Sequence, residues 1–173
     1  MKKYCFLFLI AVGFSSMAFS QNTTVEYTEE EPEFLPEPIE FVYDMEAFFS
    51  KEYVNAFREK AAAYEVETGN EVILLVFANM AEFDDLETFA YMMASEMLPG
   101  KEGKNNGATI VYISELNDLE IVPGDGAKKA LTDKFIYTLK EKKIVPLLEK
   151  EQAFQAILIS LDEIIKKWPK ERS

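Results

Sequence analysis

Lys104-Asn105-Asn106-Gly107 runs straight into Ala108-Thr109-Ile110-Val111-Tyr112-Ile113; the chain breaks at 115–118, resumes with Leu119-Glu120-Ile121-Val122, and closes on Pro123-Gly124-Asp125-Gly126 and Leu131-Thr132-Asp133. Two apolar runs bracketed by turn residues read as two strands, and the short break between them makes the pair an antiparallel hairpin. The turns carry oxygen-bearing side chains, Asn105, Asn106, Asp125 and Asp133. If they converge at one end of a sheet, amides and carboxylates beside glycines form a plausible hard-cation site.

The flanking sequence supplies the rest of a layered domain. Phe41-Val42-Tyr43 is a short extended segment ending on Asp44. Ser50 is a good N-cap for a helix whose stripe is Tyr53, Val54, Phe57, Ala61 and Tyr64, stopped by Thr68-Gly69. Residues 71–78 are almost wholly apolar, as expected of a central strand covered on both faces. Asp84 or Asp85 caps a second helix with Leu86, Phe89, Ala90, Met93 and Met97 on its stripe, its Met residues serving as core filler. Thr132 or Asp133 starts a third helix, which Pro146 interrupts, and Phe154, Ile157, Leu158, Leu161, Ile164, Ile165 and Trp168 mark a last one at helical spacing. The order predicts a mixed sheet with helices on both faces.

Residues 1–20 have a basic start, a short apolar core and Ala18-Phe19-Ser20 before Gln21, the pattern of a secretory signal cleaved near Ser20/Gln21. The expected location is periplasmic or extracellular, with no transmembrane span in the mature chain. Residues 21–40 hold seven Glu and three Pro, the composition of an acidic flexible leader; 41–168 form one domain and 169–173 a charged tail. Loss of Lys2 and Lys3 leaves 16 basic against 31 acidic residues, a charge of −15, which repels phosphate backbones and excludes nucleic acid as a partner. The chain has no His, and its single Cys lies at position 5, within the signal. A His-assisted nucleophile, a thiolate or imidazole zinc site and a disulfide are all excluded.

Four short patterns together resemble the TPM domain, a family of exported or lumenal domains known from photosystem II repair proteins and bacterial envelope proteins. They are Val42-Tyr43-Asp44 followed by Phe49-Ser50, Thr68-Gly69-Asn70-Glu71-Val72, Lys104-Asn105-Asn106-Gly107, and Gly124-x-Gly126 with Leu131-Thr132-Asp133. The resemblance covers about residues 41 to 168 and implies a three-layer α/β/α sandwich around a central mixed sheet of about four strands. It implies Ca2+, or Mg2+, held by Asp44, Asn105, Asn106 and Asp133, with Asp125 an addition of this chain. Asn105 stands where the family has Asp, and Asn117 and Glu120 stand where it has Arg, which removes the bidentate cations a phosphate group favours.

The resulting expectation is a monomeric, cation-binding accessory module acting on envelope or membrane proteins, with no catalytic residues assigned. A metal-dependent acid phosphatase acting on phosphomonoesters is the alternative, and a purely structural partner lying against a membrane protein is a third. Each ligand candidate also has a plainer reading: Asp44 and Asp133 as helix or turn caps, Asn106-Gly107 as a tight turn.

Overall fold

The computed structural model describes residues 41–169 apart from positions 45, 98 and 102. The signal, the acidic leader and residues 170–173 of the tail lie outside the described residues. The elements follow the expected order: β1 (Val42–Asp44), α1 (Lys51–Thr68), β2 (Glu71–Phe77), α2 (Leu86–Met97), β3 (Gly107–Ile113), β4 (Asp118–Pro123), α3 (Asp133–Leu139), a π-helical segment (Lys140–Ile144), α4 (Val145–Leu148) and α5 (Ala153–Lys167).

The four strands stand in chain order, β1-β2-β3-β4. β1, β2 and β3 are parallel and β4 returns antiparallel to β3, the hairpin expected from the break between the two apolar runs. Every residue of β3 and all but the terminal two of β2 are buried, because both faces of the sheet are covered. Val72, Leu74, Val76, Ala108, Ile110 and Tyr112 face the larger core, against Phe57 and Ala61 of α1, Ile136 of α3 and Ile157 and Leu161 of α5. Ile73, Leu75, Val111 and Ile113 face a smaller core closed by Phe89, Ala90 and Met93 of α2. The chain is therefore a three-layer α/β/α sandwich with its helices unequally divided.

That division has a topological signature. The parallel strands step across the sheet in one direction, yet α1 and α2 lie on opposite faces, so the two crossovers are of opposite hand. One of them departs from the right-handed rule for such units.

The helix ends are set by local chemistry. Ser50 accepts the Tyr53 N–H, Asp85 the Thr88 N–H at 2.7 Å, and Thr132 the Phe135 N–H at 3.3 Å. Gly69 closes α1 with a φ of 75°. The Tyr64 hydroxyl donates to the Trp168 carbonyl, tying α1 to the end of α5.

Two expectations need correction. Pro146 does not break the third helix: α3 continues through the π-helical segment into α4, where the Val145 N–H reaches back five residues to the Lys140 carbonyl. The widened turn accommodates a ring that has no N–H to place, and Pro146 falls in the first turn of α4, where that loss is tolerated. Tyr53, expected on the buried stripe of α1, is 43 % exposed and stacks on Phe154 instead.

Candidate functional site

Loops 99–107 and 123–133 meet at the end of the sheet where β3 begins and β4 finishes. The Gly124 N–H donates to the Gly107 carbonyl at 2.9 Å and the Gly126 N–H to the Asn105 carbonyl at 3.0 Å, so the loops are joined backbone to backbone. Gly124 is required by this approach, because a Cβ there would lie 2.5 Å from the Asn105 carbonyl oxygen. Asn105 turns the first loop with a φ of 46°, a left-handed conformation that Asn tolerates.

Below the joined loops is a cleft of about 190 Å3, lined by Asn105 and Asp125 above, Tyr91 and Ser95 of α2 at one side, and Thr109 of β3. Thr109 is fully buried, and its hydroxyl has no hydrogen-bond partner among the described residues. Lys128 completes the wall; its Nζ donates to Asp125 at 2.6 Å. The Asp125 hydrogen bond and charge hold Lys128 above its ordinary value, with Asp133 contributing less.

The expected ligands fare differently. Asn105 and Asp125 share this cleft. Asp133, in the first turn of α3, lines the adjoining cleft, which shares Lys128 and Tyr91 with the first. Asn106 is a latch: its Oδ1 accepts the Lys101 N–H at 2.9 Å, its Nδ2 donates to the Gly69 carbonyl, and its own carbonyl accepts the Glu71 N–H. Asp44 is a correction. Because β1 runs parallel to β2, it carries Asp44 to the level of Val76, while Asn106 lies one residue beyond the Glu71–Gly107 pair, a separation of about 20 Å along the strands. There both carboxylate oxygens accept backbone N–H groups, from Phe48 at 2.9 Å and Phe49 at 2.8 Å, the plainer turn-cap role. Among the described residues no three acidic side chains come together to hold a metal.

The two positions that stand where the family has Arg have structural work. Asn117 sits in the hairpin turn with a φ of 47°, accepts the Tyr112 hydroxyl at 3.1 Å and donates to the Leu148 carbonyl at 2.8 Å. Glu120 guards an edge. With the Gly124 N–H turned toward β3, alternation along β4 directs the N–H groups of Leu119 and Ile121 outward. The Asp118 carboxylate takes the first at 2.8 Å, the Glu120 carboxylate takes the second at 3.3 Å, and Pro123 has none to offer. Lys140 then pins Glu120 at 2.9 Å and Asp118 at 3.5 Å. Burial alone would lower Lys140, but these two carboxylates more than offset it and its pKa is raised. The β4 edge is thereby closed to strand addition.

The profile of the TPM domain family matches residues 42–167. The chain belongs to the TPM domain family. Its TPM domain is similar in fold to the N-terminal domain of a protein from P. gingivalis, with a TM-score of 0.65 and 16% identity over 73% of this chain and 80% of that one. It is also similar to the BA42 protein of the psychrophilic bacterium Bizionia argentinensis (TM-score 0.55, 18% identity, 74% and 89% covered). A third likeness is to the N-terminal domain of cg2496 from Corynebacterium glutamicum (TM-score 0.56, 13% identity, 80% and 88% covered). No curated protein matches the chain. No helix among the described residues of this TPM domain is long and apolar enough to cross a membrane.

Sequence reasoning missed Thr109, which it counted within an apolar run, and Tyr91. The signal for Thr109 was present: it is the one hydroxyl between Ala108 and Ile110 in a strand otherwise suited to burial on both faces.

Proposed function

We propose that this TPM domain is a non-catalytic accessory module, exported to the periplasm or beyond, that binds a divalent cation weakly and acts on envelope or membrane proteins. Calcium is the preferred ion and magnesium the second. The observation that supports the cation is the placing of Asn105 and Asp125 in one cleft with Thr109, whose buried hydroxyl has no partner. An amide, a carboxylate and a hydroxyl are hard oxygen donors suited to calcium. Asn106 shapes the loop, Asp44 belongs to the other end of the sheet, and Lys128 is the resident counter-ion of Asp125. A cation entering the cleft competes with that ammonium, and Asp133 lines the adjoining cleft beside Lys128, where its charge also acts on the ammonium. Affinity in the range of weak extracellular sites, about 10−4 to 10−3 M, follows from so small a charge count.

Calcium titration followed by amide NMR tests this. Saturable shifts at Asn105, Thr109 and Asp125, lost in Asp125→Asn, are expected; a folded sample unmoved at 10 mM calcium (about tenfold above the weak end of that range) removes the cation. The phosphatase alternative has Lys128 as its one favouring feature, a cation beside the cleft, but that ammonium is already engaged by Asp125. Hydrolysis of p-nitrophenyl phosphate that vanishes in Asp133→Ala, with the fold intact, would restore it.

A further inference from the structure

A second cleft, of about 380 Å3, opens at the opposite end of the sheet, at the C-terminal ends of the parallel strands. Open α/β sheets commonly bind their ligands at that end. Phe48 and Phe49 come from the loop after β1, Tyr53 from the first turn of α1, Tyr112 from β3 and Phe154 from the first turn of α5, with Glu151 at the rim. Tyr53 and Phe154 are stacked with ring centres 4.1 Å apart; Phe49 lies 5.5 Å from Phe154, and Phe48 lies 5.8 Å from Tyr112.

Four features narrow what this cleft takes. Phe48 and Tyr53 are 51 % and 43 % exposed, so aromatic faces are offered to solvent rather than packed away. The loop that presents Phe48 and Phe49 is fixed, since Asp44 accepts both of their N–H groups. Two polar side chains of the floor are already paired, Tyr112 with Asn117 and Asn117 with the Leu148 carbonyl. Among the described residues the only charged one lining it is Glu151, which holds a φ of 58° against the preference of a non-glycine residue; Ala47 in the adjoining loop does so too, at 51°. Aromatic faces with one carboxylate and no lysine or arginine suit a cation with a flat, weakly hydrated head.

We propose that this cleft is a docking pocket for an arginine side chain presented by a basic segment of a partner protein. The guanidinium lies against the exposed ring of Tyr53 or Phe48 and pairs with Glu151. The formal charge of −15 without the signal draws such a segment in from a distance. The inference stands apart from the cation reading, which concerns the other end of the sheet.

The probe is an acetylated pentapeptide of alternating glycine and arginine, with the citrulline version as its uncharged counterpart, followed by NMR of the aromatic rings. Saturable shifts of Tyr53 and Phe154 are expected with the arginine peptide, and binding at least tenfold weaker with citrulline. Tyr53→Leu keeps the apolar bulk and should weaken binding about three- to fivefold, the loss of one exposed cation–π contact. Glu151→Asn keeps a residue tolerant of the left-handed backbone and should weaken binding while flattening its salt dependence. Equal binding of the citrulline peptide overturns the proposal. So does indifference to both substitutions, or a ring response to phosphatidylcholine vesicles but not to the arginine peptide. Shifts confined to Asn105 and Asp125 would also overturn it, and the calcium titration would stand or fall separately.

Discussion

Replacing Thr109 by valine should make the domain more stable. The side chain is fully buried on β3, opposite Val122 of β4, and its hydroxyl has no partner. A buried polar group left unpaired costs about 1–3 kcal/mol, and valine is close to threonine in shape and favours a strand. For a domain of about 130 residues, 1 kcal/mol moves Tm by roughly 3–5 °C, so Thr109→Val should raise Tm by about 3–15 °C in calcium-free buffer. Thermal unfolding by circular dichroism, with and without 10 mM calcium, is the assay. If the cation engages the hydroxyl, calcium stabilises only the parent, by about 1.4 kcal/mol at tenfold excess over Kd, and the gap between the two proteins narrows. A fall in Tm for Thr109→Val in the absence of calcium would refute the reasoning, because it would mean the hydroxyl is already satisfied.

Three further outcomes test the architecture. Exchanging Asp118 and Glu120 for valine and Pro123 for threonine strips the guards from the β4 edge; concentration-dependent association by light scattering is expected, and a variant no more associated than the parent would show that the edge is closed by something else. Gly107→Ala puts a Cβ 2.1 Å from the Pro99 carbonyl oxygen, so denaturant unfolding should report a loss of roughly 1–3 kcal/mol as the loop is forced away. Glu163 is held below its ordinary pKa of 4.5 by its hydrogen bonds to Lys166 and then Lys143. A depressed carboxyl contributes stability that is present above 4.5 and lost as pH falls through the lower folded value, so Glu163→Gln should flatten the stability profile below about pH 4.5 while lowering its neutral plateau.

What the sequence disclosed depended on whether the cause was local. β2 and β3 were legible because continuous apolar runs admit only burial on both faces, and α5 because its stripe repeats cleanly. The cap at Ser50 was legible, and those at Asp85 and Thr132 to within one residue, because each needs only a residue three positions away. Asp44 was not, since whether it meets Asn105 depends on the direction in which β1 joins the sheet, and three residues do not encode a partner or a polarity. The π-helical segment escaped because Pro146 alone signals a stop, while the widened turn that accommodates it is held by surrounding packing, Ile144 being fully buried. Glu120 looked like a lost phosphate anchor until its place beside Lys140 and the Ile121 N–H gave it a structural cause. The aromatic cleft was invisible for a related reason: Phe48, Tyr53, Tyr112 and Phe154 span 107 positions in sequence and become neighbours only when β1, α1, β3 and α5 are assembled.

The unequal division of helices also sets a clock on the folding of a newly made chain. Because the strands stand in chain order, each can pair with its predecessor as it emerges, and α2 can close the smaller core before β4 is made. The larger core is closed only in part by α1 at that stage: Ile157, Leu161 and Ile164 of α5 are all fully buried in it, and they arrive last. Until then the part of that face which α5 will cover stays wet and sticky, the state in which a chain is most open to chaperone capture. A nascent chain stalled just short of Ala153 should therefore remain protease-sensitive on the α1 side of the sheet while α2 is already protected.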